Sequence, residues 1–79
     1  MLKRKVYTYS AVFEPLAEGG YQVIVPALPG VLTYGRTLKE AKTMAQDAIR
    51  VHLEGLRKNA EILPVEYESP KQIRLRVAV

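Results

Sequence analysis

An α+β domain is the expected fold of this 79-residue chain: an antiparallel sheet in the order βββαβ, with one amphipathic helix packed on one face. Three observations carry that expectation. Over residues 6–35, short runs rich in β-branched and aromatic side chains are punctuated by proline and glycine. A helical periodicity opens behind a threonine at position 37, and a strict apolar/polar alternation fills residues 72–79.

The first strand is expected over Val6–Phe13, with Tyr7, Tyr9, Ala11 and Phe13 on one face and Val6, Thr8, Ser10 and Val12 on the other. The stretch from Glu14 to Gly20 breaks it, because Pro15 lacks a ladder donor and the paired glycines Gly19 and Gly20 accept positive φ. The second strand, Tyr21–Val25, returns antiparallel to the first. Pro26 ends it, Pro29 and Gly30 reverse the chain, and Val31–Gly35 forms the third strand of a meander.

Thr37-Leu38-Lys39-Glu40 reads as a capping box, in which the threonine hydroxyl accepts from the Glu40 amide and the glutamate reaches back to that of Thr37. The helix it opens gathers Leu38, Ala41, Ala45, Ala48, Ile49 and Leu56 on one face, flanked by Met44 and Val51. It runs for about five turns, and its three alanines predict a close approach to the sheet. Pro64 and Pro70 make residues 59–70 a connector. Beyond it, Ile73, Leu75, Val77 and Val79 share one face of an expected fourth strand, opposite Gln72, Arg74, Arg76 and Ala78.

Length allows one domain over residues 1–79 and one small core. A hydrophobic fraction of 48% with 25% charged residues places the chain among globular proteins and outside the disordered class. No cysteine is present to cross-link so thin a core, so association into a homodimer is expected. The missing thiols fit a reducing compartment, no apolar run is long enough for a membrane span, and no signal-peptide block follows the basic start, so a cytoplasmic location is expected.

Taken in order, the tyrosine-rich first strand, Glu18-Gly19-Gly20-Tyr21, Pro26-Ala27-Leu28-Pro29-Gly30, Gly35 and Thr37-Leu38-Lys39-Glu40-Ala41 resemble the HicB-like antitoxin family from about Tyr7 to Leu56. That resemblance implies a partial ribonuclease-H-like fold. It also implies a partner: a small HicA-like toxin, an RNA-cleaving protein of double-stranded-RNA-binding shape, which the family silences by steric occlusion. Many relatives carry a further C-terminal helix-turn-helix or ribbon-helix-helix segment for their operator. Such a segment is not expected here after Val79. Where members often have a cysteine after the Pro-Gly pair, this chain has Val31, a packing position.

Two groups of residues are candidates for the partner contact. Glu14 and Glu18, after the first strand, are either acidic contacts for a basic partner or solvated carboxylates. Pro26, Leu28 and Pro29 form either a rigid contact loop, which loses little freedom on binding, or a purely structural turn. The formal charge of +4 supplies an alternative function, a nucleic-acid-binding strand edge made by Lys3, Arg4, Lys5, Arg74 and Arg76. The same cations also serve simply to keep sheet edges from aggregating.

Catalytic chemistry is not expected. Ribonuclease-H-type cleavage needs several carboxylates converging on metal ions, and the single aspartate, Asp47, falls on the polar face of the helix. His52, the one histidine, falls on the apolar helix face, where a neutral imidazole packed against the sheet and bonded to a carbonyl or tyrosine hydroxyl is the simpler role. No second histidine or cysteine completes a metal site, so neither metal nor cofactor is expected. Tyr7, Tyr9, Tyr21 and Tyr34 are placed to fill the sheet's core face or a dimer interface, with stacking on unpaired bases as the alternative.

Overall fold

The structure is a computed structural model that describes residues 5–79. Three antiparallel strands, β1 (Val12–Pro15), β2 (Tyr21–Ile24) and β3 (Leu32–Gly35), lie in the order β1-β2-β3, followed by helix α1 (Leu38–Lys58). This is the α+β meander and helix that the sequence predicts, and α1 packs over β2 and β3.

The first strand is shorter than its sequence pattern, for a reason that lies in its partner. Val12 pairs with Ile24 and Pro15 with Tyr21. Pro26 offers no ladder donor, so β2 stops, and residues 6–11 run on past its end with nothing to pair with. At the other end the ladder continues through Pro15, because β1 is an edge strand and its missing N–H is not needed. The connection Leu16–Gly20 closes with the Leu16 amide on the Gly20 carbonyl at 3.0 Å. Gly19 and Gly20 sit there at φ of 100° and 83°.

Two linked clusters make the core. Val23, Ala41 and Ala45 meet Ala11, Phe13 and Tyr21; Val25, Leu28 and Val31 meet Tyr9, Ala11, Ala48, Ile49 and Leu53. The alanines of α1 do bring the helix close. A Cβ on Gly35 would lie 2.2 Å from the Ala41 nitrogen and 2.3 Å from its Cα, so β3 and the first turn of α1 touch backbone to backbone.

Thr37 caps α1 by accepting from the Glu40 amide at 3.0 Å. The reciprocal half of the capping box is replaced by a long ion pair from Glu40 to Arg36. At the other end, the Ala60 amide donates to Arg57 and the Glu61 amide to Leu56, a Schellman closure with Ala60 at φ 57°.

The expected fourth strand does not form within the chain. Residues 72–79 are all exposed and lie in no ladder. The connector is tied to Tyr9 and Ser10 through Pro64 and Glu66 and continues past Pro26 and Ala27, and the alternating segment beyond Pro70 pairs with no described strand. Among the described residues, no helix is long and apolar enough to cross a membrane.

Candidate partner-binding face

Only one face of the sheet is covered by α1. Strand register therefore decides which side chains are left on the other. Val12, Ile24 and Leu32 stand opposite one another across the three strands, and Glu14, Gln22 and Tyr34 form the next row. The result is an apolar row beside a polar one on an uncovered surface, with Leu32 64% and Tyr34 45% exposed. Gly20 leaves room at the end of this face. The Tyr34 ring occupies the place a side chain would take, its Cε1 and Cζ 2.7 Å from a Cβ built there, and its hydroxyl is 3.4 Å from the Gly19 carbonyl.

Glu14 stands on this open face within β1, and Glu18 is exposed in the turn beside it. Both candidate acids are thus at the same end of the sheet as Tyr34. The loop residues divide. Pro26 and Pro29 are exposed, whereas Leu28 is fully buried in the second core cluster. Its amide donates to Val25 at 2.8 Å, and its carbonyl accepts from Val31 at 2.9 Å. Leu28 is consequently not a surface contact as the sequence suggests. It anchors the loop that holds the two prolines, because a side chain with no exposure cannot touch a partner.

His52 is half-buried beside Gly30, its Cε1 3.5 Å from where a glycine Cβ would stand, so it meets the Pro29-Gly30 loop where packing against the sheet was expected. The expected hydrogen bond to its ring is not found among the described residues. Asp47 is engaged by Arg50, which also reaches Glu54, on the exposed side of α1. Among the described residues no group of three potential ligands is arranged to hold a metal ion.

The expected basic edge falls only partly within the described residues. Lys3 and Arg4 lie outside the described residues, Lys5 borders a shallow pocket with Arg57, and Arg74 and Arg76 stand on the unpaired segment. Among the described residues, no ladder joins the two ends into one edge.

A polar latch lies at the start of β1. The Glu66 carboxylate accepts from the Ser10 amide at 2.7 Å and from the Ser10 hydroxyl at 2.7 Å, and the Tyr9 hydroxyl donates to the Pro64 carbonyl. Burial, and secondarily the neighbouring Tyr7, raise the Tyr9 hydroxyl above its ordinary pKa, so it remains a donor. The Ser10 amide, followed by the Ser10 hydroxyl, holds Glu66 below the usual carboxylate range. A pKa lowered by folding contributes stability above the unfolded value and loses it as pH falls through the folded one. Glu66→Gln is therefore expected to lower Tm at pH 7, and the difference from the parent chain to shrink as pH falls below the ordinary glutamate pKa of about 4.3 and to vanish only below the lowered folded value. Thermal melts followed by circular dichroism between pH 7 and pH 3 check this.

Comparison with known proteins now bears on the same residues. A family model described as the HicB-like antitoxin of bacterial toxin-antitoxin systems matches residues 9–75, which include the whole sheet, α1 and the whole connector. The chain belongs to the HicB-like antitoxin family. This HicB-like chain is 43% identical over 56 residues to a UPF0150 protein of Thermoplasma acidophilum, a match covering 71% of the chain and 81% of that protein. It is 40% identical over 57 residues to Antitoxin HicB 1 of Photorhabdus laumondii, covering 72% of the chain but 37% of that longer protein. A UPF0150 protein of Synechocystis is 30% identical over 63 residues, with 80% of each chain covered.

Proposed function

We propose that this HicB-like chain is a binding module that neutralises a HicA-type RNA-cleaving toxin by covering its active surface. The observation that carries the reading is the uncovered sheet face. An apolar row of Val12, Ile24 and Leu32 is bordered by Glu14, Gln22 and Tyr34, on a chain of an antitoxin family.

The mechanism is steric and needs no catalytic group on this side. Leu32 and Tyr34 supply the desolvated centre, which is where most interface energy concentrates. Glu14 and Glu18 supply negative charge at one end, complementary to a surface that binds RNA, and such charges act mainly on the rate of encounter. Pro26 and Pro29, braced from below by Leu28, extend the surface with a loop that has little freedom left to lose. The site of action is the cytoplasm, where an RNA-cleaving partner meets its substrate.

Leu32→Asp tests the face. The side chain is exposed in the free chain, so the variant should fold normally. Binding to the purified toxin, measured by calorimetry, is expected to weaken by about a hundredfold, as for a central interface residue. The double variant Glu14→Lys/Glu18→Lys is expected to slow association by about tenfold at low salt and less at high salt. Unchanged affinity in both variants would remove this face from the interface. If the chain instead binds RNA with an affinity that falls steeply with salt, the basic residues Lys3, Arg4, Lys5, Arg74 and Arg76 are the functional ones.

A further inference from the structure

We propose that residues 72–79 of one copy of this chain form the missing strand of a second copy, docking beside β1 and placing Ile73, Leu75 and Val77 in the groove between β1 and α1. The exchange is reciprocal, so the two copies form a symmetric dimer.

The groove is open and mostly apolar. Tyr9, Ala11 and Phe13, alternate residues of one face, form one wall, and Leu38, Lys42, Ala45, Gln46 and Ile49 of α1 form the other, enclosing about 430 Å³. One edge of this groove is the outer edge of β1, which is terminal in the sheet and has no strand neighbour among the described residues. An apolar groove beside an unpaired strand edge fits an extended segment with apolar residues at every second position: backbone groups join the ladder and alternate side chains enter the groove. Edges left in this state invite pairing, and β1 carries little to prevent it apart from Glu14 and Pro15.

Among the described residues, one segment fits that description. Ile73, Leu75 and Val77 are 72%, 81% and 80% exposed, on one side of an alternating run whose other side bears Arg74 and Arg76. Its length of about 26 Å at the rise of a strand is sufficient to span the groove.

The route of the connector points to a second copy. Pro64 is bonded by Tyr9, whose side chain lies on the helix-covered face, and two residues later Glu66 is bonded by Ser10, which alternates to the open face. The connector thus passes across the start of β1, from the face that holds the groove to the opposite one. It then runs beside Pro26 and Ala27. By this point the chain has left its own groove behind, and Pro70 stiffens the departing arm. The molecule is correspondingly drawn out, with a radius of gyration of 15.2 Å and a long axis of 58 Å, where a compact chain of this length has about 12 Å. Six buried core side chains among the described residues are few for independent stability, and a second copy's arm adds three more apolar residues at each of two grooves.

Light scattering coupled to size exclusion on the full chain is expected to give twice the 8.9 kDa chain mass. A chain ending at Lys71 is expected to be monomeric with unchanged helical circular dichroism, since residues 72–79 contribute nothing to the monomer core. Leu38→Glu, at a half-exposed groove position, is expected to raise the dimer dissociation constant by at least about tenfold. A monomer at all concentrations overturns the proposal. So does a dimer that survives removal of the arm, which would place the contact elsewhere, such as the open sheet face. A dimer lost on truncation but indifferent to Leu38→Glu would mean that the arms pair outside the groove, and overturns it equally. Lys42→Cys/Leu75→Cys separates the remaining case: oxidation should yield linked dimers, and a cyclised monomer would show that each arm fills its own groove.

Discussion

Gly35→Ala is expected to cost about 3 kcal/mol or more and to leave the chain largely unfolded at 37 °C. Adding a methyl group inside a packed core ordinarily costs about 1–3 kcal/mol, because side chains can shift. Here they cannot provide the relief. The new Cβ would fall 2.2 Å from the Ala41 nitrogen, 2.3 Å from its Cα and 2.8 Å from its Cβ, so the start of α1 itself must move away from β3. That movement opens the cluster of Val23, Ala41 and Ala45. A domain of this size has a total stability of roughly 4–12 kcal/mol, and each kcal/mol lowers Tm by about 4–8 °C. Urea denaturation followed by circular dichroism measures the loss. The same substitution at exposed Gly55 meets no atom within 4 Å and improves helix propensity. It should raise stability by about 0.5–1 kcal/mol, which separates the collision at Gly35 from any general effect of alanine.

Leu28→Ala is expected to cost about 2–5 kcal/mol, the range for truncating a fully buried leucine. Leu28 has no exposure and fills the space between Val25 and Val31, with Tyr9, Ala48, Ile49 and Leu53 of the surrounding elements packed on that cluster. The loop also has its amide and carbonyl already committed to Val25 and Val31, so it is poorly able to collapse into the cavity. The loss should appear in both chemical and thermal denaturation. A second consequence follows for the partner contact: Pro26 and Pro29 lose their brace, so affinity for the toxin should fall even under conditions where the variant remains folded.

Most of the fold was legible because its punctuation is local. Thr37 declares the start of α1 by a side-chain bond that depends on a few neighbours, and the prolines and glycines between strands have few conformations open to them. The true length of β1 was not local information. Residues 6–13 have a strand's composition, but Pro26 on another element decides where their ladder ends. Residues 72–79 make the same point more strongly. Their alternation specifies which side chains share a face and leaves open which strand, in which copy, lies alongside.

The candidate face was only half visible for a similar reason. Glu14 and Glu18 stand out as charges, whereas Val12, Ile24 and Leu32 look like ordinary strand residues until the register puts them in one uncovered row. Leu28 misled in the opposite sense, since a leucine between prolines looks like part of a surface loop and is in fact its buried anchor. Family likeness identified the kind of protein. Strand register and burial determine which of its residues can meet a partner.

The most direct test of the antitoxin reading is a tagged pull-down from native cell extract in moderate salt with nuclease added, followed by an RNA-cleavage assay on whatever is retained. The account predicts a stoichiometric small basic protein whose cleavage of RNA ceases when one equivalent of this chain is restored. Retention of nothing stoichiometric, together with abundant RNA or DNA when nuclease is omitted, would contradict it.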